Sequence, residues 1–154
     1  MTQEERCGTR DRAYSAWHRR YSIGRFVGRE NAHLLAMIDL DTIPYVEYED
    51  KTKKPLAVIE TAIDIGQTFK TATVTSNLAK LAGLPCFVVL YKLSDKPNPA
   101  DRSCFDIEGF RIKRLYPERD NEWKYLTPQR YAEMLLKIRY HGTEFKKDFQ
   151  RVLL

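Results

Sequence analysis

Met37-Ile38-Asp39-Leu40-Asp41 and Leu56-Ala57-Val58-Ile59-Glu60 are two apolar runs that each close on a carboxylate. A strand sends successive side chains to opposite faces, so Asp39 and Asp41 share one face, and Leu56, Val58, Glu60 and Ala62 share another. Pairing of the two runs as a hairpin around Asp50-Lys51-Thr52-Lys53-Lys54 would let carboxylates from neighbouring strands converge. Converging oxygen ligands suit a hard divalent cation such as Mg²⁺ or Mn²⁺; Mg²⁺ takes one or two carboxylates and completes its shell with water and substrate phosphate. That pattern points to phosphodiester chemistry. The competing reading is a set of solvated charges at strand ends.

Outward from these runs, Gln67 to Ala82 reads as a helix, stopped by Gly83-Leu84-Pro85, and Cys86-Phe87-Val88-Val89-Leu90-Tyr91 reads as a buried strand. Tyr45-Val46-Glu47-Tyr48-Glu49 continues the strand that begins near Ala36, with Pro44 marking an edge, a bend or a bulge. Leu93 to Asp101, with Pro97 and Pro99, reads as a surface loop. A second hairpin is expected from Ser103 to Ile107 and from Phe110 to Tyr116, turning at Glu108-Gly109. Along its second strand Arg111 and Lys113 alternate with Phe110 and Ile112, giving one basic face that either tracks a phosphate backbone or is simply solvated. Thr127-Pro128 opens the last helix as N-cap and first helical residue, and Tyr131, Met134, Leu135, Ile138 and Phe145 recur at helical spacing. The fold class is therefore α/β, a central mixed sheet of about four or five strands flanked by helices.

With the run from Cys86 to Tyr91 the order is strand, strand, helix, strand, and the phrases Ala36-Met37-Ile38-Asp39-Leu40-Asp41, Tyr45-Val46-Glu47-Tyr48, Ala57-Val58-Ile59-Glu60-Thr61 and Ala79-Lys80-Leu81-Ala82-Gly83-Leu84-Pro85 fall along it. Over residues 10–116 the chain resembles the PD-(D/E)XK nuclease superfamily, with its restriction-endonuclease-like core, and looks like the phage or prophage members. The resemblance implies a nuclease with Mg²⁺ or Mn²⁺ as cofactor, held by Asp39, Asp41 and Glu60, and with Asp41 and Glu60 catalytic. It also implies a Lys two residues after the Glu, where this chain has Ala62. Lys70 could reach back into that role, as migrated lysines do in some members, and Lys92 at the end of the next strand is the other cation in range. Asp64 shares the parity of Glu60 and is a secondary candidate.

The length of 154 residues, 43% hydrophobic and 12% aromatic, allows one core and one domain, with an arm over 1–12, the nuclease-like core over 13–116 and a helical segment over 117–154. The tail from Phe145 to Leu154 either extends the last helix or mediates self-association as a homodimer. No apolar run approaches a membrane span and Met1 to Arg6 lacks a signal pattern, so no membrane partner and a cytoplasmic location are expected. Cys7, Cys86 and Cys104 lack metal spacing and read as free thiols. Gly-rich phosphate loops, G-x-S-x-G elbows and zinc patterns are missing, which removes most nucleotide-binding, esterase and zinc-enzyme classes.

A net charge of +5 suits nucleic acid, DNA in the first instance. Arg12, His18, Arg19, Arg20 and Arg25 are interleaved with Tyr14, Trp17 and Tyr21, so guanidinium groups could grip phosphates while aromatic faces stack on bases. The bland reading packs Tyr14, Trp17 and Tyr21 inward as one helix face. Rival functions are a nuclease fold that binds nucleic acid without cutting it, and a protein-interaction domain. Nucleic-acid binding should weaken as salt rises, and replacing Arg19 and Arg20 together by Ala should lower the salt slope by up to ~1 per lost phosphate contact. Filter binding or anisotropy across a salt series measures this, and salt-independent binding would favour the protein-interaction reading.

Overall fold

The computed structural model describes Ala13, Trp17 and residues 23–35, 40–118 and 122–141. The chain divides into two compact units, Met1–Asp39 and Leu40–Leu154. In the first, short helices α1 (Gly24–Val27) and α2 (Arg29–Leu34) follow one another. Phe26 lies 6.2 Å from the Trp17 ring, and the Arg25 guanidinium sits 5.2 Å over the Phe26 ring. Of the five residues expected to meet nucleic acid, only Arg25 is described, and it is exposed. Arg12, His18, Arg19 and Arg20 lie outside the described residues, as does Asp39.

The second unit contains the hairpin β1 (Tyr45–Glu47) and β2 (Lys53–Pro55), and a separate sheet of β3 (Val58–Ile63), β4 (Cys86–Pro97), β5 (Phe105–Tyr116) and β6 (Lys124–Leu126) in the order β3-β4-β5-β6. β3 and β4 are parallel, with Glu60 opposite Val88, whereas β5 and β6 are antiparallel to their neighbours. A parallel pair needs a crossover, and helix α3 (Thr73–Ala82) supplies it. The expected α/β class with a mixed sheet is therefore present, with four strands. Cys86 to Leu90 are buried throughout, which explains why this run is apolar without alternation: α3 covers one sheet face and helix α4 (Pro128–His141) the other. On the α4 face Ile59, Phe87, Val89, Phe110 and Ile112 pack with Met134 and Ile138, and Phe110 stacks on Tyr131 at 4.0 Å. On the α3 face Val58 and Cys86 pack with Ala79.

Several boundaries differ from the sequence expectation. The helix starts at Thr73 rather than Gln67, because the carbonyls of Gln67 and Thr68 accept bonds from the Arg111 and Trp123 side chains instead of from a following helical turn. Its far end follows the expectation: Gly83 adopts φ 69°, and the Leu84 N–H returns to the Ala79 carbonyl at 2.9 Å. The expected loop from Leu93 is strand as far as Pro97, pairing with Phe105. No turn forms at Glu108-Gly109; β5 runs straight through, and the reversal lies at 98–104, where Asn98 and Asp101 side chains cap the N–H groups of Ala100 and Ser103. Gly109 serves close approach instead of turning, since a Cβ there would overlap the Tyr125 ring of β6.

The continuous strand expected from Ala36 is, within the described residues, an isolated antiparallel bridge from Thr42 to Ile59 followed by β1. Pro44 sits between them and its carbonyl accepts the Leu56 N–H, so it marks the bend where the chain leaves β3. Thr127 caps α4 as expected, its Oγ1 accepting the Arg130 N–H at 3.2 Å. Ile138 is 1% exposed in the α4-face core, so Ile138→Ala should cost about 2–5 kcal/mol of stability in urea unfolding.

Candidate active site

Glu60 belongs to the α3 face and is 7% exposed, a depth at which an unpartnered carboxylate would be heavily penalised. Both its oxygens are engaged. Lys70 Nζ donates to Oε1 at 3.1 Å, and Thr75 Oγ1, fully buried on the first turn of α3, donates to Oε2 at 3.1 Å. Lys70 also donates to the Thr61 carbonyl at 3.2 Å, so its ammonium is held between two oxygens of one strand segment. It lies in the connection ahead of the helix, not within it, and its side chain is 22% exposed. Ala62, where the resemblance implied a Lys, shares the Glu60 face and packs with Ala72, Val88 and Leu90.

Asp41 is placed differently from the expectation that it bridges a cation with Glu60. Its Oδ2 accepts the Thr61 N–H at 2.8 Å and the Thr61 hydroxyl at 3.2 Å. Thr61 follows Glu60 on the strand and so projects to the opposite face, which puts the Asp41 carboxylate at the β3 edge on the Thr61 side. Lys92, the other cation considered, pairs with Glu108 at 3.3 Å, both half-exposed. Among the described residues no group of three or more His, Cys, Asp or Glu is arranged to hold a metal ion. The donors that do meet here, the Glu60 carboxylate and the Thr61 carbonyl, are hard oxygens already holding a cation, and in kind they fit Mg²⁺ or Mn²⁺.

Asp64 shares the Glu60 face, as its parity requires, but serves an ion pair. Arg111 Nε and Nη2 donate to its two oxygens at 2.7 and 2.6 Å, and Nη2 donates to the Gln67 carbonyl at 2.8 Å. Those bonds, with one from the Gly66 N–H, hold the Asp64 carboxyl down at about 2. The Trp123 ring lies 5.3 Å from the Arg111 guanidinium and 5.9 Å from Lys113 Nζ, and its Nε1 donates to the Thr68 carbonyl at 2.9 Å. The expected basic face of β5 is thus split: Arg111 is neutralised by Asp64, while Lys113 lies in the sheet row Glu60-Val88-Lys113. The Cys86 thiol, on the same face, is pushed up to about 11 by burial and then by the Glu60 charge, which makes it a poor nucleophile.

Sequence reasoning did not find Thr75, Trp123 or the Arg111 clamp. Thr75 left one signal: a hydroxyl four residues before Ala79, on the helix face that meets the sheet, implies a buried partner. No family model, no curated protein and no solved structure matches the chain. Among the described residues no helix is long and apolar enough to cross a membrane.

The Asp64 carboxyl lies below its usual 3.8 in the fold, so its contribution is complete above about pH 4 and is lost as pH falls towards about 2. That contribution is on the order of 2 kcal/mol. Asp64→Asn should therefore lower stability at pH 7 and flatten the acid limb between pH 4 and 2, read from urea unfolding at each pH.

Proposed function

We propose that the chain is a metal-dependent nuclease that hydrolyses phosphodiester bonds of nucleic acid, DNA first, with Glu60 and Lys70 at the reacting centre. One observation carries this reading: an ammonium from outside the strand meets the Glu60 carboxylate at 3.1 Å, on the face where a Lys at position 62 would have projected. Glu60 and the Thr61 carbonyl would hold Mg²⁺ or Mn²⁺, while Asp41, bonded to Thr61 on the other side of the strand, would brace that segment rather than share the ion. When bound, such an ion acidifies water and neutralises charge on the scissile phosphate. Lys70 would steady the charge that develops on the phosphate. Lys113, on the same face and with no carboxylate partner among the described residues, would contact a neighbouring phosphate. In the first unit, Arg12, His18, Arg19, Arg20 and Arg25 would contact nucleic-acid phosphates separately.

A second reading is a noncatalytic nucleic-acid-binding protein of nuclease-like fold. It is favoured by the full use of Glu60's oxygens by Lys70 and Thr75. Incubation with Mg²⁺ or Mn²⁺ and single-stranded, duplex or branched DNA, or RNA, separates the two. The nuclease reading expects Glu60→Gln to bind without cutting, and Lys70→Ala to cut about 10²-fold or more slowly while melting as a folded chain. Absence of cleavage by the wild type on every substrate, with cleavage appearing in Ala62→Lys, would establish the binding protein instead.

A further inference from the structure

The connection from Ile63 to Thr73 carries Lys70 to Glu60, yet it contains neither helix nor strand. Its beginning is closed locally: Gln67 Oε1 accepts the Ile65 N–H, Gln67 Nε2 donates to the Ile63 carbonyl, and Asp64 Oδ1 accepts the Gly66 N–H. Beyond one backbone bond, from the Asp64 N–H to the Tyr91 carbonyl of β4 at 2.8 Å, its attachment to the sheet comes from two side chains distant in sequence. Arg111 of β5 spends three N–H groups on it, two on Asp64 and one on the Gln67 carbonyl, and Trp123 spends its indole N–H on the Thr68 carbonyl. The Trp123 ring also faces the guanidinium, so the two anchors brace one another. Phe69, the residue between the last anchor and Lys70, is 72% exposed and fixes nothing.

We propose that Arg111 and Trp123 are positioning residues that set the Lys70 ammonium on Glu60. Their catalytic consequence rests on the nuclease reading, whereas the clamp itself does not. A lysine side chain is mobile and loses considerable rotamer entropy when held in one geometry, so its placement depends on how far its own backbone is already fixed. The clamp fixes that backbone at the Gln67 and Thr68 carbonyls and holds the Asp64 side chain ahead of them. Lys at 111 would keep the charge but could not reproduce a planar fork that bonds both oxygens of Asp64 and a carbonyl together.

The test is trace acetylation of the full chain at pH 8, with Lys70 modification read by mass spectrometry against the exposed Lys54 and Lys124 as internal references. Wild-type Lys70 should react about tenfold more slowly than the references, because its ammonium is bonded to a charged partner. Arg111→Lys and Trp123→Phe should each bring Lys70 most of the way to the reference rate, with the melting transition retained. Trp123→Phe keeps the ring and removes the indole donor, so it decides the matter should Arg111→Lys not fold. Unchanged Lys70 protection in the folded variants would overturn the proposal. In an active protein, both variants should lower kcat with KM nearly unchanged. Released Lys70 in a chain that cuts nothing would uphold the clamp and remove the nuclease reading, whereas retained protection beside normal cutting would overturn the clamp and leave that reading standing.

Discussion

The carboxylate of Glu60 sits inside the molecule, and its neighbours are arranged around that constraint. A buried charge is tolerated only when it is paired and its remaining oxygen is hydrogen-bonded, since desolvation otherwise exceeds the Coulombic return. Lys70 and Thr75 meet those two requirements from different directions, one from an irregular connection and one from the first turn of α3. The crossover between the parallel strands is therefore shaped by Glu60. Its first half stays irregular to deliver an ammonium, and only then does the helix begin.

The sheet separates two kinds of work. Its α4 face is an apolar layer in which Phe87, Val89 and Ile112 meet Met134 and Ile138, and this layer supplies cohesion. The α3 face carries the charges: Glu60, Asp64, Arg111 and Lys113 all project there, in positions fixed by the register of β3, β4 and β5. Because Cys86 to Leu90 of β4 are buried on both sides, this half of the strand is a rigid rail between the strand bearing Glu60 and the strand bearing Arg111. Such rigidity suits a constellation that must hold its geometry.

Much of this was legible along the chain where local periodicity carried the information. Cys86 to Tyr91 reads as a buried strand because it is apolar without interruption, Thr127-Pro128 marks a helix start through capping chemistry, and Gly83 ends α3 through its left-handed conformation. Glu60 was the conspicuous site residue because a carboxylate ending an apolar strand needs a partner. Where the sequence misled, a distant side chain had intervened. Gln67 to Ala72 has helical character, but Arg111 and Trp123 take the carbonyls that a helix would use. Glu108-Gly109 looks like a turn, but Tyr125 covers the glycine and β5 continues.

By itself the sequence determined the α/β class, the buried strand from Cys86, the two helices beside the sheet and the place of Glu60 on a strand face, all of which follow from periods of two and 3.6 residues and from cap chemistry, whereas it divided β5 in two and left β6 unread. Tertiary structure alone decided which cation meets Glu60, that Asp41 turns to Thr61, and that Arg111 closes on Asp64. Those contacts join residues 10, 20 and 47 positions apart, and their geometry depends on strand register and on a crossover path that no local pattern encodes.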